Sequence, residues 1–172
     1  MEFYVCASGS KGNCFVLRDR DISFMIDCGT TQKYLKGCFE RIGFEWEHMN
    51  ALLITHDHVD HLKQVKMFKS KKVYSPVSLQ DINCELIVPY KPFYIGHIQV
   101  LPIPLSHDAP NTVGYVFQCE QWKLVYITAT GYVYDQSKRY LKNADYWVLE
   151  SNHDVEMLMQ SNRPYVLKRS IL

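Results

Sequence analysis

The run Ala51-Leu52-Leu53-Ile54-Thr55 opens directly onto His56-Asp57-His58-Val59-Asp60-His61. A short apolar run of this kind reads as a buried strand. A strand that ends in a ligand-rich loop is a rigid mount for side chains that must converge. In extended backbone, residues i and i+2 point the same way, so His56 and His58 can grip one ion. Asp60 and His61 can then turn toward a second ion beside it. Imidazole nitrogen and carboxylate oxygen suit Zn²⁺, Mn²⁺ or Fe rather than Ca²⁺. Two such ions about 3.5–4 Å apart activate a water and steady a leaving oxygen. A surface loop that is merely rich in His and Asp is the alternative, and the His-x-His-x-Asp-His spacing argues against it.

The rest of the chain reads as many short strands with few helices. Residues 2–6, 14–17 and 22–26 have strand character. Between the first two lies Ser8-Gly9-Ser10-Lys11-Gly12-Asn13, which is either a plain hairpin loop or a backbone-lined rim for a phosphate. Thr30 or Thr31 can cap a helix whose apolar face carries Tyr34, Leu35, Cys38, Phe39 and Ile42, and Gly43 ends it. Strands are expected at 72–74, 85–88, 93–95, 98–103, 113–119, 123–127 and 144–150, with Pro76, Pro89, Pro92, Pro102 and Pro104 as punctuation. His48 reads as a surface histidine and His97 as a turn residue. Neither is expected to bind metal.

At 172 residues, with 47% apolar composition, the chain suits one domain over 1–172. A net charge of +1 gives no global attraction to nucleic acid, so any such contact must be local. The densest positive charge is Lys63, Lys66, Lys69, Lys71 and Lys72. Lys63 and Lys66 fall on one helical face, as a solvated surface or a phosphate-attracting patch near the metals. The six cysteines form no Cys-x-x-Cys pair, and no signal peptide or membrane-length apolar run is visible. A reducing cytosol is the expected compartment, with thiols packed as small apolar residues.

The metal motif resembles the signature of the metallo-β-lactamase superfamily. The likeness extends to Ser8–Cys14, Ile26-Asp27-Cys28-Gly29, Ser106-His107-Asp108 through Tyr115, Thr128-Ala129-Thr130-Gly131 and Glu150-Ser151-Asn152-His153-Asp154. Their order is similar to the YycJ-like (WalJ) branch, a group of DNA exonucleases close to phosphodiesterases of the same fold. The resemblance implies an α/β (α+β) architecture, the αββα sandwich of two mixed sheets flanked by helices, with the metals at one sheet edge. It implies a ligand set of His56, His58 and His107 for one ion, and Asp60 and His61 for another. Asp27 would brace the metal loop, unless it is a plain turn aspartate. His153 would stand at the mouth of the site, unless its segment only caps a helix carrying Val155, Met157 and Leu158.

One position departs from that pattern. Where the family has a metal-bridging aspartate, this chain has Ala129, whose methyl group cannot bind metal. The intact motif around it reads as a deliberate Asp→Ala change rather than decay. A further family histidine, expected after Leu172, is not in the sequence, so the C-terminal part is expected to be incomplete and the second ion weakly held. The expected chemistry is phosphodiester hydrolysis with Zn²⁺ or Mn²⁺, up to two ions, with Asp60, Asp57 and His153 handling protons. The expected substrate is the end of a DNA or RNA chain. The alternatives are a cyclic-nucleotide phosphodiesterase of the phage immune-evasion type, or a catalytically dead protein that binds nucleotide or nucleic acid. No membrane association is expected, and a homodimer could supply what a short chain lacks.

Overall fold

A computed structural model describes residues 1–149. Among these, eleven strands build two mixed sheets. The first sheet has the spatial order β1 (Glu2–Ala7), β2 (Cys14–Asp19), β3 (Ile22–Ile26), β4 (Ala51–Leu53), β5 (Val73–Ser75) and β6 (Cys84–Leu86). β1–β3 pair antiparallel, and the pairings from β3 to β6 are parallel. The second sheet runs β11 (Tyr146–Leu149), β10 (Lys123–Ile127), β9 (Val113–Gln118), β8 (Ile98–Pro104) and β7 (Phe93–Ile95), with only the β10–β11 pair parallel.

Alternation along the strands sorts side chains into three apolar layers. Phe15, Leu17, Phe24, Ile26, Leu53 and Tyr74 of the first sheet meet Val100, Val113, Tyr115, Phe117, Leu124 and Tyr126 of the second. The opposite face of the first sheet, with Val16, Met25 and Leu52, packs on Leu35, Cys38 and Phe39 of helix α1 (Gln32–Ile42). The opposite face of the second sheet, with Val116, Val125 and Ile127, packs on Leu141 of helix α3 (Asp135–Leu141). This is the αββα sandwich, built because strands buried on both faces need a cover on each side.

Local details follow from chemistry. The Thr31 hydroxyl accepts the Tyr34 N–H at the start of α1, and Gly43 closes the helix at φ 60°. Pro102 and Pro104 sit in β8 beyond the stretch that β7 covers, where the Tyr90 N–H donates to the Pro102 carbonyl at 2.8 Å and no strand asks for an N–H in return. The lysine-rich segment departs from the expected single helical face. A four-residue helix α2 (Val59–Leu62) gives way to a separate 3₁₀ turn at Val65–Phe68, so Lys63 caps the first element while Lys66 lies within the second. Lys66 pairs with Asp81 at 3.4 Å and Lys72 with Glu85 at 3.2 Å, which spends part of the patch's charge internally. Helix α3 has no counterpart in the sequence-based expectations, because Leu141 and the small Ser137 are its only buried residues. All six cysteines are free thiols, four of them buried. No described helix is long and apolar enough to cross a membrane.

His97 has a structural partner. Its Nε2 donates to Asp19 at 2.9 Å, beside the Trp122 indole N–H at 3.2 Å and the Met1 amino group at 2.9 Å. Burial by itself would raise the Asp19 pKa, but these donors outweigh it and hold the carboxyl at about 2. A carboxylate depressed from its ordinary value of 3.8 gives stability that is fully present above about pH 4 and lost as pH falls toward 2. Urea unfolding at pH 5 and pH 2.5 is expected to show a drop of which Asp19→Asn removes a share on the order of 2 kcal/mol.

Candidate metal centre

All the residues of the site lie at one end of the sandwich. β4 ends at Leu53 and leads through Thr55 to His56 and His58, after which α2 carries Asp60 and His61. β3 ends in Asp27-Cys28-Gly29, and the loop after β8 brings in His107. Three loops are stitched together through backbone. Asn13 N–H donates to the Asp60 carbonyl (2.8 Å), Gly29 N–H to Asn13 (2.9 Å), Cys28 N–H to His61 (2.8 Å) and Gln64 N–H to Cys28 (3.0 Å). The second sheet is tied in by Val113 N–H donating to the Thr55 carbonyl at 3.0 Å and by the Tyr115 hydroxyl donating to the Ile54 carbonyl.

His56, His58 and His107 come together so that one ligand atom from each lies within 4.8 Å of the others. Ring centroids are 4.7 Å apart for His56–His58, 4.8 Å for His56–His107 and 5.2 Å for His58–His107. The hydrogen bonds around His56 assign its tautomer. The Thr55 hydroxyl donates to Asp27 Oδ2 (2.8 Å) and so accepts from His56 Nδ1 (3.0 Å). The lone pair is therefore on Nε2, which is buried and has no hydrogen-bond partner among the described residues. Burial, then the neighbouring rings of His61, His107 and His58, push the His56 pKa down to about 2, so the ring stays neutral. A buried, neutral imidazole with an orphaned lone pair, facing two more imidazoles, fits a divalent metal ion.

Asp27 is fully buried and organises the loop. Its Oδ1 accepts the Thr55 N–H at 2.9 Å, and its Oδ2 accepts the Thr55 hydroxyl and His61 Nδ1, the latter at 2.7 Å. A carboxylate that fixes a histidine's tautomer and tilt from behind sets where its other nitrogen points. His61 Nε2 points toward Asp60 Oδ2 at 3.6 Å. Asp108 reaches His107 Nε2 at 3.0 Å and His58 Nε2 at 3.9 Å. Asp57 is exposed between the two histidines and takes no part in the network around Asp27. His48 pairs with Glu45 at the surface. His153 lies outside the described residues.

Ala129 follows β10 with φ 52°, a left-handed conformation that costs an alanine roughly 1 kcal/mol and that Asp and Asn adopt more readily. The loop it belongs to meets the His107 loop, since Gly131 N–H donates to the Ser106 carbonyl at 2.8 Å. The side chains of Thr55 and Asn13 have roles that the sequence did not assign. Thr55 reads as the last strand residue, yet its hydroxyl joins Asp27 to His56. Asn13 reads as turn composition, yet its amide reaches Asp60 Oδ2 at 3.3 Å and His61 Nε2 at 3.0 Å.

Comparison with known proteins bears on this arrangement. A family model described as a beta-lactamase superfamily domain matches residues 23–168. Exodeoxyribonuclease YycJ of Bacillus anthracis is 33% identical over 186 residues, which cover 100% of this chain and 70% of the relative. Exodeoxyribonuclease WalJ of Streptococcus pneumoniae serotype 2 is 28% identical over 187 residues, covering 99% of this chain and 70% of the relative. Among solved structures, the metallo-beta-lactamase fold protein YhfI of Bacillus subtilis superposes with a TM-score of 0.69 at 16% identity. That match covers 88% of this chain and 71% of YhfI, and at such identity it speaks for the fold alone.

Proposed function

We propose that this chain, which belongs to the β-lactamase superfamily, is a metal-dependent phosphodiester hydrolase of the DNA-end-degrading kind, impaired by Ala129. The family and the similarity to exodeoxyribonucleases support a metal-dependent hydrolase acting on nucleic acid. The observation that carries the metal is the orphaned, buried Nε2 of His56 beside His58 and His107.

In this reading His56, His58 and His107 would hold zinc or manganese. Once bound there, such an ion would supply the polarisation of a phosphoryl oxygen and the acidified water that phosphodiester hydrolysis near neutral pH requires. Asp27 and Thr55 keep the His56 and His61 rings in the tautomers that present Nε2. Asp60, half-buried beside His61, and the exposed Asp57 are the carboxylates available to accept a proton from the attacking water. His153 is the candidate donor to the leaving oxygen. Ala129 withholds the negative charge that two cations side by side would need. Its left-handed backbone is a shape that suits an aspartate better.

The test is hydrolysis by the native chain and by Ala129→Asp, each with Mn²⁺ or Zn²⁺. The substrates are single-stranded DNA, a duplex with free ends, and cyclic nucleotides. Ala129→Asp is expected to degrade DNA from its ends on the order of 100-fold faster than the native chain. Binding of the DNA should weaken steeply with salt. Turnover confined to cyclic nucleotides would replace the nuclease reading. Ligand binding without turnover in either form would make the chain a binding protein.

A further inference from the structure

The two candidate ion positions differ in what meets their lone pairs. At His56 the Nε2 lone pair has no partner among the described residues. At His61 it does. His61 Nδ1 donates to Asp27 Oδ2 at 2.7 Å, so the ring's single lone pair is on Nε2, in the ring plane. The Asn13 side chain lies against that nitrogen.

The orientation of the Asn13 amide is fixed by its own loop. Gly9 N–H donates to Oδ1 at 3.1 Å, which identifies the oxygen. The opposite atom, Nδ2, is therefore the donor, with the Gly9 carbonyl at 3.2 Å, Asp60 Oδ2 at 3.3 Å and His61 Nε2 at 3.0 Å. The backbone of Asn13 is tied to the same elements through Asp60 and Gly29, so the side chain is held there at little entropic cost. An imidazole nitrogen has one lone pair, and it can serve an amide hydrogen or a cation but not both.

We propose that the Asn13 amide holds the Asp60–His61 position closed to a second divalent ion, so that this chain takes up a single ion at His56, His58 and His107. The inference rests on the metal-hydrolase reading and adds the residue that sets its metal count. Without a carboxylate at position 129, a second cation gains only Asp60 as an anionic ligand and must break the Asn13 hydrogen bonds to reach it. The same geometry says how to reverse the effect. Asn13 Nδ2, Asp60 Oδ2 and His61 Nε2 form a triangle with sides of 3.0, 3.3 and 3.6 Å. Sides of that length are what ligand atoms about 2.0–2.2 Å from a shared ion produce. Asn13→Asp therefore exchanges a competing donor for a third ligand atom.

The experiment strips the native chain, Asn13→Asp, Asn13→Ala and the double variant Asn13→Asp/His61→Ala with chelator. Each is then equilibrated with Zn²⁺ or with Mn²⁺, which the thiols take up less readily. Bound ions per chain are counted by plasma mass spectrometry and affinities measured by calorimetry, with circular dichroism to establish folding. The native chain is expected to hold one ion and Asn13→Asp two. Asn13→Ala should raise second-ion affinity at least about tenfold, and the double variant should return to one. Two ions of similar affinity in the native chain, or unchanged second-ion affinity in both Asn13 variants, would overturn the role of Asn13 and leave the metal-hydrolase reading standing. No bound ion in the native chain would overturn both. If Asn13→Asp does not fold, the native count and Asn13→Ala still decide the matter.

Discussion

Replacing Asp27 with alanine is expected to lower the unfolding free energy of the metal-free chain by about 3–5 kcal/mol, the usual cost of removing one partner from a buried, charge-assisted network. The carboxylate is fully buried and accepts three hydrogen bonds, from the Thr55 N–H, the Thr55 hydroxyl and His61 Nδ1. The methyl group accepts none. Thr55 would keep a buried N–H with its acceptor gone, and its hydroxyl would lose the bond that makes it an acceptor for His56. Asp27 also has φ 59°, so alanine there adds roughly 1 kcal/mol of backbone strain. Urea unfolding of chelator-treated protein measures the effect. A change below about 1 kcal/mol would show that Asp27 is an ordinary turn residue and that the network around it is dispensable.

The second large effect is expected from the smallest possible side chain. A Cβ placed on Gly29 would stand 1.5 Å from the Asp60 carbonyl oxygen, 2.0 Å from its carbon and 2.6 Å from the His61 nitrogen. These are backbone atoms, which cannot swing aside as a flexible side chain does. Gly29→Ala must therefore push α2 away from β3 and break the bonds that join Asn13 to Asp60 and Cys28 to His61. A cost of about 3 kcal/mol is expected, the upper end for overpacking. His56 precedes α2 and His107 comes from another loop, but His58 caps α2 and would move with it, so variant protein that still folds should keep its first ion with weakened affinity. Unfolding curves and ion counts on the same samples check both halves. An unchanged midpoint would mean the loop can widen freely there.

Much of the fold was legible in the sequence, for a definite reason. β2, β3, β4, β9 and β10 are apolar on both faces, and runs of that kind bounded by turn residues announce buried strands. Helix α1 announced itself through its cap, its stripe and Gly43. The layered αββα arrangement came from the family resemblance, since periodicity does not say which faces meet. Helix α3 was not legible because a surface helix with one buried aliphatic residue has no stripe. Its fixing contact, the Ser137 hydroxyl at 2.8 Å from that of Tyr90, joins residues far apart in sequence.

The site divides in the same way. His56, His58, Asp60 and His61 stand out because their spacing is local. That His107 lies beside them was implied by resemblance only, because no spacing rule links two loops on different sheets. The individual roles of Asn13, Thr55 and Gly29 were not legible, although their segments were, for a related reason. Each is a common residue in a common place, and its role is in one close approach across the chain. A Gly followed by Asn before a strand, or a Thr between a strand and a metal motif, is the faint signal that was available.

The two sheets are drawn from consecutive halves of the chain, β1–β6 and then β7–β11. During synthesis, at roughly 5–20 residues per second, the first sheet can therefore leave the ribosome and pair up before the second sheet has emerged. For several seconds its inner face, with Phe15, Leu17, Phe24, Ile26, Leu53 and Tyr74, has nothing to cover it. That interval is when a nascent chain of this design is most exposed to chaperone capture or clumping. His107 arrives only with the second half, so the three-histidine cluster cannot assemble while the first sheet stands alone.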